Sequence, residues 1–171
     1  MPPSNYQIKQ GDVIRLEGGC RFEWNFADTG RTAVVGPGDG KLERIYAAIL
    51  AGERAALELV RPGVQPSELF NAAVAAVRKA GLADYRRHHV GHGIGLEMYE
   101  MPLLVPSGKR SDIHDIGKGE MLLEANMVVN VETPYYELGL GGFQIEDTVV
   151  VTSSGFEYLT QAPRDIWRTA F

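Results

Sequence analysis

A single cysteine, Cys20, in 171 residues excludes an internal disulfide and a thiolate metal cage. No nucleophile signature surrounds it, so it reads as a structural residue. Basic charge is also scarce: 17 Lys and Arg against 22 Asp and Glu leave a net charge of -5, which offers no footprint for nucleic acid or an anionic membrane. The opening MPPSNYQIKQGD lacks the basic-then-apolar order of a signal segment, and no apolar run approaches the ~20 residues of a membrane span. A cytoplasmic location is expected, with a small molecule or a protein as partner. The hydrophobic content of 44% suits one globular domain with a sizeable core and excludes a disordered chain.

What the chain does have is concentrated in residues 127–152, MVVNVETPYYELGLGGFQIEDTVVVT. This stretch reads as two β-branched strands joined by the Gly-rich segment Gly139 to Gly142. Period-two alternation puts Asn130 and Glu132 on one face of the first strand, and Gln144, Glu146 and Thr148 on one face of the second. Val129, Val131, Ile145 and Val149 take the opposite faces. Antiparallel pairing would bring Glu132 and Glu146 to one point, either as a metal or acid/base site or as the wet face of a sheet.

Upstream, residues from Gly11 alternate through Val13 to Glu17, with a turn expected at Gly18-Gly19. A strand through Phe22, Trp24, Phe26 and Asp28 and another from Thr32 to Val35 follow. Val13 to Glu17 (VIRLE) parallels Val128 to Glu132 (VVNVE), and Asp28 parallels Glu146. One β unit is thus present twice, and a pseudo-twofold axis would gather four carboxylates. Between the copies lie two helices. Asp39 caps the first, whose apolar positions run from Leu42 to Val60; the second opens at Pro66, buries Leu69, Phe70, Ala73, Val74 and Val77, and ends at Gly81. Glu53, Arg54 and Lys79 are expected on solvated faces.

GPGDGK (Gly36 to Lys41) misses the phosphate-loop spacing, and GHGIG (Gly91 to Gly95) is not a dinucleotide fingerprint. In HHVGHGIGLEMYEMP, His88 and His92 are four apart, yet the glycines disfavour a helix and instead hold His92 in a tight segment. One imidazole beside several carboxylates suits two bridged divalent ions such as manganese, cobalt, iron or zinc. Residues 103–119, with a KRSD cluster, read as a lid or rim of the site or as a solvated hairpin. Trp167 and Phe171 pack on the domain or on a partner subunit.

Together these motifs resemble the pita-bread family of methionine aminopeptidases, Xaa-Pro aminopeptidases, prolidases and creatinase. The resemblance runs from about Gly11 to Thr160 and rests on Glu17, Asp28 with Arg31-Thr32, GHGIGLE with His92, VE at Glu132 and IEDTVVVT with Glu146. It implies an α+β pita-bread domain over residues 1–171 that lacks the amino-terminal part of the fold, with exposed apolar surface covered in a homodimer. The implied metal ligands are Glu17, Asp28, His92, Glu132 and Glu146, holding two divalent ions. The implied catalytic residues are His88 and Glu132, with His88 and Tyr99 contacting substrate, a small peptide of Xaa-Pro type. Four positions depart from the family pattern. Glu17 stands where an aspartate is usual, Arg15 on the same strand face is placed to neutralise it, Tyr99 replaces a histidine, and Gln144 replaces an arginine. Rival expectations are a metal-free C–N hydrolase of the creatinase or ectoine-hydrolase kind, acting on a small zwitterion, and an inactive truncated member.

Overall fold

The computed structural model describes residues 4–108 and 121–169. In chain order the elements are β1 (Val13–Phe22), β2 (Asn25–Val35), α1 (Gly40–Leu57), α2 (Pro66–Lys79), β3 (Gly91–Gly93), β4 (Glu100–Leu103), β5 (Val128–Glu132), β6 (Tyr135–Glu137), β7 (Gly141–Phe143), β8 (Glu146–Val151), β9 (Phe156–Tyr158) and β10 (Trp167–Thr169). The main sheet runs β1-β2-β8-β5-β3-β4, with β10 added on β2 and β9 on β8, while β6 and β7 form a separate hairpin. The first four strands in that order, β1-β2-β8-β5, are arranged as a palindrome about the β2/β8 seam. Of these, β1 and β5 carry the VIRLE and VVNVE segments and flank β2 and β8, which carry Asp28 and Glu146, although the registers differ: Glu132 pairs with Glu146, whereas Glu17 pairs with Gly30 and Asp28 with Gly19.

Both helices form where their apolar spacing places them. The Asp39 carboxylate accepts from the amides of Lys41 (2.8 Å) and Leu42 (3.0 Å), satisfying orphan donors at the start of α1. At α2, Pro66 occupies the first turn and Glu68 accepts from the Gln65 amide at 3.1 Å. The helices pack on the apolar face of the sheet. Leu69, Ala73 and Val77 meet Val129, Val131 and Val149 in one cluster, and Leu42, Ile45 and Ile49 meet Phe143 and Ile145 in the other. Each such fully buried chain contributes on the order of 1.5–3 kcal/mol, which holds the sheet's other face in place for the polar residues it carries.

Three expectations are corrected. The turn does not fall at Gly18-Gly19: β1 runs straight through both, and the chain reverses at Glu23 and Trp24, which have φ of 46° and 72°. Gly19 serves close approach, because a Cβ there would run into the Ala27 carbonyl of β2. Glu53 is not on a solvated face but 0% exposed. It turns toward Asp147, whose two oxygens are held by Arg31 (2.6 Å) and Arg164 (2.6 Å). Cys20 is exposed on β1 and makes no contribution to the core. Arg54 and Lys79 are exposed as expected. Trp167 lies on the domain itself, its β10 strand parallel to β2, whereas Phe171, the KRSD cluster and the rest of 109–120 lie outside the described residues.

Candidate metal centre

The polar face of the sheet is built by register. Glu17 pairs with Gly30, Gly30 with Glu146, and Glu146 with Glu132, so one row crosses β1, β2, β8 and β5 carrying three glutamates and a glycine. Asp28 lies two residues along β2 on the same face, opposite Gly19. His92 joins from β3, paired with Asn130 of β5. Gly30 leaves the middle of the row open. A Cβ there would come within 2.7 Å of Glu146 Oε2 and collide with the Gln144 side chain.

One ligand atom each from Asp28, His92 and Glu146 lies within 4.8 Å of the other two. The His92 ring is buried, which holds its pKa below the usual value, and its Nδ1 sits 2.9 Å from the Gly93 carbonyl oxygen. With Nδ1–H donating to that oxygen, Nε2 keeps its lone pair for a ligand. Burial, then the charges of Glu132 and Asp28, push Glu146 up to about 8; burial and Glu132 also raise Asp28. Two crowded carboxylates and a neutral imidazole are a donor set that fits a divalent cation, whose charge would relieve the crowding.

The other two expected ligands are engaged elsewhere. Glu17 is ion-paired with Arg15, two residues before it on β1. Arg15 Nε also donates to Gln144 Oε1 at 3.4 Å. Glu132 Oε1 is 2.5 Å from His89 Nε2 and 3.8 Å from the Arg87 guanidinium, while Gln144 Nε2 donates to Glu132 Oε2 (3.2 Å) and Glu146 Oε2 (2.9 Å). Burial alone would raise Glu132, but His89, Arg87 and Gln144 outweigh it and bring its pKa down to about 2. Of the five positions expected as ligands, the structure draws Asp28, His92 and Glu146 to a point and leaves Glu17 and Glu132 on other partners.

Of the residues expected to meet substrate, Tyr99 stands with its ring 4.2 Å from that of His92. Burial, then Glu132, Asp28 and Glu146, raise its phenol pKa, which places it beside the acids. His88 packs edge-on against His89 at 4.2 Å. His89 and Arg87 received no role from the sequence, yet they are the groups that hold Glu132. Two adjacent histidines in an irregular segment carry no periodicity from which to choose between them. Outside the cluster, an open groove of about 400 Å³ is lined by Tyr6, Ile8, Val13, Arg15 and Leu140, so Arg15 borders both features.

Comparison with known proteins agrees with this geometry. The family model described as metallopeptidase family M24 matches residues 1–153. The Xaa-Pro dipeptidase of Pyrococcus furiosus is 34% identical over 163 residues, covering 95% of this chain and 44% of that protein. Among solved structures, dipeptidase PepE from Mycobacterium ulcerans superposes with a TM-score of 0.87 at 31% identity, over 98% of this chain and 43% of that one. Methionine aminopeptidase from Rickettsia prowazekii, at 24% identity and a TM-score of 0.71 over 91% of this chain and 67% of its own, shares the fold. That fold is the α+β pita-bread architecture expected from the sequence. The chain spans less than half the length of the dipeptidase relatives it matches.

Proposed function

Because the chain belongs to metallopeptidase family M24, we propose that it is a divalent-metal-dependent hydrolase that cleaves the amide of Xaa-Pro dipeptides. The observation that carries this reading is the convergence of Asp28, His92 and Glu146 to within 4.8 Å. Manganese, cobalt, iron and zinc all suit two carboxylates and an imidazole, and a second ion would need Glu17 and Glu132 to leave their present partners. A cation bound there supplies a water activated at neutral pH and polarises the scissile carbonyl.

The chain's own residues do the rest. Asp28 and Glu146 contribute the negative charge, and His92, fixed through Gly93, contributes a neutral donor. Glu132 is the carboxylate placed to take a proton from the attacking water and pass it to the leaving amine, and His89, 2.5 Å away, orients it. His88 and Tyr99 stand beside this group to orient the peptide. The exposed Phe22 (72%) and Trp24 (71%) at the β1–β2 turn support a second copy of the chain as partner.

A second reading, a metal-free C–N hydrolase acting on a small zwitterion, is favoured by the Arg15–Glu17 ion pair. One experiment separates the two. The purified chain is stripped with a chelator, returned to manganese or cobalt, and assayed for proline release from Xaa-Pro dipeptides. Activity that needs the added ion and is lost in Glu146→Gln supports the peptidase. Hydrolysis that the chelator leaves untouched supports the metal-free reading, and inactivity under all conditions in the folded chain contradicts both.

A further inference from the structure

We infer that this chain binds one divalent cation rather than a bridged pair, because the Arg15 guanidinium, fixed between Glu17 and Gln144, stands in for the second ion. The inference deepens the proposed function and rests on its divalent-cation site. It follows from where each acid of the cross-sheet row spends its charge. Glu17 lies one strand beyond Gly30, at the outer end of the row, and its carboxylate is taken by Arg15. Glu132, at the opposite end, has one oxygen on His89 and the other on Gln144, with Arg87 at 3.8 Å. Of the two carboxylates that a second ion would need, Glu17 is therefore matched directly by the Arg15 charge, while Glu132 shares its oxygens between His89 and Gln144.

Among the described residues, what is left at the cluster is Asp28 and Glu146, two formal negative charges, with His92 beside them. One divalent ion balances that set; a second would bring two further positive charges beside a guanidinium. Like charges held that close in a partly buried site repel, which disfavours the second ion. Gln144 holds the arrangement together. Its Oε1 accepts from Arg15 and its Nε2 donates to both Glu132 and Glu146, so one amide couples the guanidinium to the acids and holds it at the row. Arg15 also packs over the Tyr136 ring at 5.5 Å, a second contact that keeps it there.

The test is stoichiometry. The metal-free chain is titrated with manganese by calorimetry, and the loaded protein is examined by electron paramagnetic resonance, which distinguishes an isolated ion from a spin-coupled pair. The wild type is expected to take one ion and to show no coupled signal. Arg15→Ala, which truncates a side chain 32% exposed and outside the core, is expected to take two. Arg15→Lys, which keeps the positive charge, is expected to return to one. Two ions in the wild type, or one in Arg15→Ala with native circular dichroism, would overturn the inference while leaving a metallohydrolase intact. No ion in any of the three would overturn the cation site itself.

Discussion

In the metal-free chain, replacing the proposed metal ligand Glu146 should make the fold more stable. Glu146 is 2% exposed, with Glu132 and Asp28 beside it, and its carboxyl is pushed from 4.5 up to about 8. An acid whose folded pKa is raised supports the fold fully below its unfolded value. That support is lost as pH climbs from 4.5 to about 8. Each pH unit in that window corresponds to about 1.4 kcal/mol, so near pH 7 the native state carries a penalty of up to about 3 kcal/mol from this one group. Glu146→Gln keeps the shape and the contact with Gln144 but has no charge to bury. Urea unfolding in excess chelator should therefore show the variant equal to wild type near pH 4.5 and more stable by about 1–3 kcal/mol near pH 7, allowing for the cost of burying an amide. Saturating manganese should reverse the order, because an ion that binds only the native wild type stabilises it by mass action. A variant less stable than wild type in chelator at neutral pH would refute the electrostatic account of the cluster.

Other expectations concern the opposite face and the seam. Burial and the neighbouring Asp147 hold the Glu53 carboxyl well above the usual range, so it meets Asp147 as a neutral acid; Glu53→Gln should flatten the fall of stability with rising pH above the normal carboxylate value, measured by urea midpoints across that range. Arg31→Ala strips Asp147 of a 2.6 Å partner inside the core and leaves it only Arg164, which should cost about 1–3 kcal/mol and show as a lowered midpoint with unchanged slope. Gly30→Ala forces a methyl against Gln144 and Glu146, and should weaken manganese affinity at least tenfold by calorimetry, with a folding cost of about 1–3 kcal/mol.

The β5–β8 pair was legible because its alternation is clean. Asn130 and Glu132 face Thr148 and Glu146 in the observed register, while Val129 and Val131 turn to the helices. The repeat of VIRLE in VVNVE likewise located the outer strands, and the ion pair between Arg15 and Glu17 followed from their shared face. Where the reading failed, a local rule was overridden by a tertiary one. Gly18-Gly19 carries turn chemistry, but glycine is needed there for strand contact, and the reversal falls at Glu23-Trp24, whose side chains give no such signal. A glutamate on a helix is ordinarily solvated; Glu53 is buried because Asp147, on the helix-facing side of β8, brings Arg31 and Arg164 to the same place. No spacing within α1 reports a partner ninety-four residues away in the chain, as Asp147 is from Glu53.

Crystals of the chain soaked in manganese and measured at the metal's absorption edge would test the central claim most directly. An anomalous peak in contact with Asp28, His92 and Glu146 together, at distances suited to coordination, is expected. Strong anomalous density elsewhere, or a fully ordered pocket with no peak under saturating manganese, would contradict it.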